Sequence, residues 1–67
     1  MTFSVQVERE SDGRWIADVA ELAGVLVYGD TLEQAQAKAQ ALALRVLADR
    51  LDHGEAVPFE SVLFSAA

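Results

Sequence analysis

The chain contains no cysteine, one proline, one histidine, one tryptophan and only five lysine and arginine residues among 67. Without cysteine there is no disulfide staple, no thiolate zinc or iron–sulfur site and no thiol nucleophile. His53 alone cannot furnish a multi-histidine metal site. No stretch approaches the roughly 20 apolar residues of a membrane span, and Met1-Thr2-Phe3-Ser4-Val5 has neither a basic start nor a long apolar run. A soluble, cytoplasmic protein is expected. Five basic residues against eleven acidic ones leave a formal net charge of −6, which opposes binding to a phosphate backbone and favours a basic partner. Direct nucleic-acid binding is not expected.

What the chain does have is apolar content, 52% of its residues, enough to exclude intrinsic disorder. Residues 1–67 make one domain. So short a chain buries only about 60% of the surface its unfolded form exposes, and self-association, to a homodimer or higher homo-oligomer, is the expected supplement.

Period-two alternation from Thr2 to Glu8, with Phe3, Val5 and Val7 on one side, predicts a half-buried strand. Asp12-Gly13 within Ser11–Arg14 signals a hairpin. A second strand from about Arg14 to Val19 places Trp15, Ala17 and Val19 on one face and Ile16 and Asp18 on the other, Asp18 away from the core. Ala20–Gly24 reads as a connection. A third strand, Val25–Tyr28, is apolar on both faces, so a second covering besides the helix is expected.

Asp30 and Thr31 both match capping-box spacing, with Glu33 and Gln34 respectively, and Asp30 is the preferred cap. The helix should run from about Leu32 to Leu51 or Asp52 and end at His53-Gly54, where glycine suits the left-handed cap. On a wheel, Leu32, Ala35, Ala39, Leu42, Ala43 and Val46 form the stripe that should cover the sheet. Ala37, Ala41, Leu44, Ala48 and Leu51 extend the apolar surface beyond the arc that one sheet requires. Val57–Phe64 reads as a fourth strand with Pro58 at its start. The fold class is therefore α+β, β-β-β-α-β: an antiparallel meander, one helix packed on the sheet, and a last strand beside and parallel to the first, in the spatial order 3-2-1-4.

The run Trp15-Ile16-Ala17-Asp18-Val19-Ala20-Glu21-Leu22-Ala23-Gly24, followed by Tyr28-Gly29-Asp30-Thr31-Leu32-Glu33-Gln34-Ala35, resembles the HicB antitoxin family over nearly the whole chain. Ala20 and Ala23 stand where that family usually has prolines, and Val25 where cysteine is common. The C-terminal ribbon-helix-helix or helix-turn-helix domain by which many members bind operator DNA has no counterpart here, so autoregulation by this chain alone is not expected. The resemblance implies a partial ribonuclease H-like fold without nuclease activity, which binds and masks a small basic messenger-RNA-cleaving toxin of the HicA type.

The residues that would meet such a toxin are Glu8, Glu10, Asp12, Asp18 and Glu21, with Trp15 and Tyr28 as aromatic anchors. The same acids also read as a solvated surface, and the same aromatics as core. Leu26, Tyr28, Leu44 and Leu51 are the candidates for an oligomer interface. A carboxylate-metal nuclease is disfavoured, because Asp12 is accounted for by the turn and Asp30 by the helix start, leaving no converging cluster. His53 reads as a helix-end residue. No catalytic residue, metal or cofactor is expected. The alternative to an antitoxin is an orphan of the same fold serving homo-oligomer assembly or small-molecule regulation.

Overall fold

The alternation that opens the chain becomes strand β1 (Thr2–Arg9), with Phe3 and Val5 buried and Thr2, Gln6 and Glu8 exposed. Glu10 then starts a tight reversal. Its N–H donates to the Arg14 carbonyl at 2.7 Å, and its own carbonyl accepts from the Gly13 N–H at 3.0 Å. Gly13 sits at φ +92, so this is a three-residue loop built on a turn followed by a left-handed glycine. The Asp12 carboxylate accepts from the Arg14 N–H at 3.0 Å and the Arg14 Nε–H at 2.8 Å, fixing the loop from within. Strand β2 (Trp15–Val19) follows, antiparallel to β1 with Val5 opposite Val19 and Glu8 opposite Ile16.

The next connection does more than reverse the chain. Hydrogen bonds from the Val19 N–H to the Val25 carbonyl and from the Val25 N–H to the Leu22 carbonyl fold it inward, so that Leu22 and Val25 are buried. Strand β3 (Leu26–Gly29) then pairs antiparallel with β2. Val25, expected to begin this strand, belongs to the turn instead, because its N–H is committed to Leu22 rather than to the ladder.

Helix α1 (Leu32–Asp52) is capped by Thr31, whose hydroxyl accepts from the Gln34 N–H at 3.1 Å. The expectation that Asp30 is the cap is corrected. The Gln34 side chain reaches back past Thr31 and accepts the Asp30 N–H at 2.6 Å, so Asp30 supplies backbone rather than a capping carboxylate. At the other end the Gly54 N–H donates to the Leu51 carbonyl and the Glu55 N–H to the Arg50 carbonyl, with Gly54 at φ +70. These two bonds form the Schellman motif that ends the helix.

Strand β4 (Leu63–Ala66) runs parallel to β1, with Phe3 opposite Phe64. The structure describes residues 1–66 of this computed structural model. The fourth strand was expected over Val57–Phe64, and it is both later and shorter. Pro58 lies in the irregular segment before it, where Phe59 and Val62 pack against the core. Pairing is set by the free edge of β1 at Thr2–Val5 and by the Phe3 and Phe64 rings, 6.0 Å apart, rather than by local strand propensity.

The four strands form one mixed sheet in the order β3-β2-β1-β4. Helix α1 lies across β3, β2 and β1. Phe3, Val5, Ala17, Val19, Leu22 and Val25 close the core from the sheet side. From the helix it is closed by Ala35, Ala39, Ala43 and Leu47, a single row spaced four residues apart. Leu47 was not among the expected core residues, and Leu42 and Val46, which were, are half-buried at the flanks. The three alanines are 0% exposed, so the helix approaches the sheet closely. At Gly29 the approach is closest: a Cβ built there would lie 2.5 Å from the Ala35 amide nitrogen and 2.9 Å from its Cα.

Gly29→Ala should therefore destabilise the protein by about 1–3 kcal/mol, the range for overpacking a filled interior. Urea unfolding followed by tryptophan fluorescence measures this; an unchanged midpoint would show that the strand and helix can separate freely.

Candidate functional site

Side chains alternate across the sheet, so the face not covered by α1 is fixed by the register. Glu8, Ile16 and Tyr28 form one row across β1, β2 and β3, and Gln6, Asp18 and Leu26 form the next. Between the two rows lies an open groove of about 480 Å³ lined by Gln6, Val7, Glu8, Ile16, Asp18 and Leu26. Its apolar lining includes Ile16, half-buried, and Leu26, 52% exposed, beside the polar Gln6, Glu8 and Asp18. Glu8 and Asp18 stand diagonally across it, a placement that puts neighbouring strand positions roughly 7–8 Å apart. Neither carboxylate has a hydrogen bond or ion pair to another described residue, and Asp18 is half-buried. A carboxylate with no protein partner is available to an incoming cation.

The cations nearest this face are already engaged. Arg14 holds Asp12 at 2.8 Å and lies 4.7 Å above the Tyr28 ring, a cation–π contact. Lys38 reaches from α1 to donate to the Tyr28 carbonyl at 3.2 Å. That contact places a lysine at the outer strand, a device that discourages pairing with another strand.

The seven residues expected to meet a partner do not form one surface. Glu8, Asp18 and Tyr28 share the open face. Trp15 is on the opposite side, half-buried against the core opposite Gly29. Glu10 and Asp12 belong to the hairpin at one end of the sheet, and Glu21 lies in the turn at the other end, roughly 16 Å away along β1. There the Glu21 carboxylate accepts the Ser4 N–H, at 3.0 Å through Oε1 and 3.2 Å through Oε2. It substitutes for a strand neighbour where the β1–β2 ladder ends. Of the residues expected at an oligomer contact, Leu26 and Tyr28 lie on the open face. Leu44, 50% exposed, and Leu51 lie on the outer side of α1. Ile16 and Gln6 complete the groove and were not among the candidates; alternation already grouped Ile16 with Asp18, but only the register adds Gln6 and Leu26.

His53 takes its place at the helix end, its Nδ1 2.8 Å from the Asp49 carbonyl. Among the described residues no three His, Asp or Glu side chains converge to hold a metal ion, and no helix is long and apolar enough to cross a membrane. No protein-family model matches this chain, and no curated protein or solved structure matches it either.

The Ser4 N–H holds the Glu21 carboxyl below its ordinary value of 4.5, and the Arg14 N–H does the same for Asp12. Because the folded value is the lower one, the Glu21 contribution to stability is present above the unfolded value and is lost as pH falls through the folded value. Between about pH 6 and about pH 3 the urea midpoint of the wild type should fall more steeply than that of Glu21→Gln. Parallel curves would mean that the contact does not persist in solution.

Proposed function

We propose that this protein is a HicB-like antitoxin-type binding module that sequesters a small basic messenger-RNA-cleaving toxin in the cytoplasm, with no reaction of its own. The observation that supports this best is the open sheet face, where apolar side chains and two unpaired carboxylates adjoin on a protein of net charge −6. A surface of that kind complements a basic protein and steers its approach. The β-β-β-α-β order with strand order 3-2-1-4 agrees with the fold that the sequence resemblance implies. Masking works by occupying the toxin's basic surface, so no cofactor is needed.

A second reading has its own support. Leu44 and Leu51 are exposed on the outer face of α1 among alanines, and a small chain without disulfides benefits from burying such a surface against another copy. On this reading the protein is an orphan homo-oligomer, or a small-molecule regulatory module, with no toxin partner.

Copurification from the native cell separates the two. The antitoxin reading predicts recovery of a small basic ribonuclease at low salt that is lost as ionic strength rises past the point where surface charges are screened. Recovery of the chain alone at every salt concentration would favour the orphan oligomer.

A further inference from the structure

The molecule offers a few surfaces for a macromolecular partner: the open sheet face, the outer side of α1, and the two edges of the sheet. Their chemistry differs. The outer side of α1 intersperses Lys38, Arg45 and Arg50 with Asp49 and Asp52, so it carries no strong field of either sign. At β3 the Lys38 ammonium group occupies the Tyr28 carbonyl, which works against addition of a further strand there. The open face alone combines a groove, exposed apolar side chains and carboxylates without a counter-charge.

The charge on that face selects its occupant. A second copy placed face to face would set Glu8 and Asp18 against the same carboxylates, and like-charge juxtaposition disfavours that pairing. Nucleic acid and anionic lipid are repelled for the same reason. A basic protein gains twice, because its cation pairs with carboxylates that have no counter-charge among the described residues while an apolar side chain covers Ile16 and Leu26.

We propose that the groove between Glu8 and Asp18 is the docking site for a basic protein, seating one arginine or lysine side chain between the two carboxylates with a neighbouring apolar side chain on Leu26 and Ile16. Arginine is the better occupant, since its planar fork of donors can serve two carboxylates at once. Tyr28, beside Ile16 on the next strand and with Arg14 4.7 Å over its ring, stands outside the lining of the groove. The hairpin acids Glu10 and Asp12, the turn acid Glu21 and the core-side Trp15 lie outside it. This site rests on the reading of the protein as a receiver of a basic partner, and it narrows that reading to one face.

The test uses a nine-residue peptide of alternating arginine and leucine, acetylated and amidated, titrated into the full chain at low salt and followed by backbone amide NMR. Saturable shifts should centre on Gln6, Glu8, Ile16, Asp18 and Leu26. The double substitution Glu8→Gln, Asp18→Asn should weaken binding about tenfold while leaving the remaining spectrum folded. The control Glu33→Gln, Asp52→Asn, which removes the same charge from α1, should change it by less than about twofold. Equal losses in both double variants, shifts centred on α1, or no saturable shift would overturn the docking site. The peptide reports on this face whether or not a toxin is ever recovered from cells, so the site and the antitoxin reading can fail separately.

Discussion

At Gly29 the backbone of β3 meets the backbone of α1 with no space for a side chain, a Cβ there falling 2.5 Å from the Ala35 nitrogen. The same closeness continues along the helix through Ala35, Ala39 and Ala43, all fully buried. Small residues at a helix–sheet contact draw the two layers together, and in a chain of this length that is how a dense core is obtained from few large side chains. The capping arrangement serves the same contact: Thr31 and Gln34 fix where α1 begins, one turn from Gly29, and so fix which helical row faces the sheet.

With one face committed to the helix, alternation commits the other. Val5, Ala17 and Val27 point inward, so Gln6, Glu8, Ile16, Asp18, Leu26 and Tyr28 point outward. The acidic residues of the chain divide accordingly between structural and available roles. Asp12 ties Arg14 into the hairpin and Glu21 closes the end of the β1–β2 ladder at Ser4. Glu8 and Asp18 make no such contact and remain to act on whatever approaches. A count of charges treats all four alike; their hydrogen bonds do not.

Much of this fold is legible in the sequence because its punctuation is local. Gly13, Gly24 and Gly54 each adopt the positive φ that their turns require, and the alternation in Thr2–Arg9 and Trp15–Val19 needs no distant partner to be recognised. The fourth strand differs from the expected span because apolar residues stand on both sides of Glu60-Ser61 within Val57–Phe64, and the choice of the segment that pairs is made by the edge of β1 and the Phe3–Phe64 contact, both distant in sequence. The cap was misassigned because Asp30 and Thr31 have equivalent spacing; which one serves depends on how the chain leaves β3. For the candidate site, alternation paired Ile16 with Asp18 and Leu26 with Tyr28, but both sides of β3 are apolar. Only the close approach at Gly29, opposite Trp15, decides that Trp15 belongs to the helix side and Tyr28 to the open one.

The central claim is that the open sheet face, rather than the outer side of α1, receives the partner. Its most direct test is the methyl NMR spectrum of the protein labelled at isoleucine and leucine, alone and saturated with the alternating arginine–leucine peptide. The account predicts that the Ile16 and Leu26 methyls shift on binding while those of Leu44 and Leu51 stay in place. Shifts at Leu44 and Leu51 with Ile16 and Leu26 unmoved would contradict it and assign recognition to the helix.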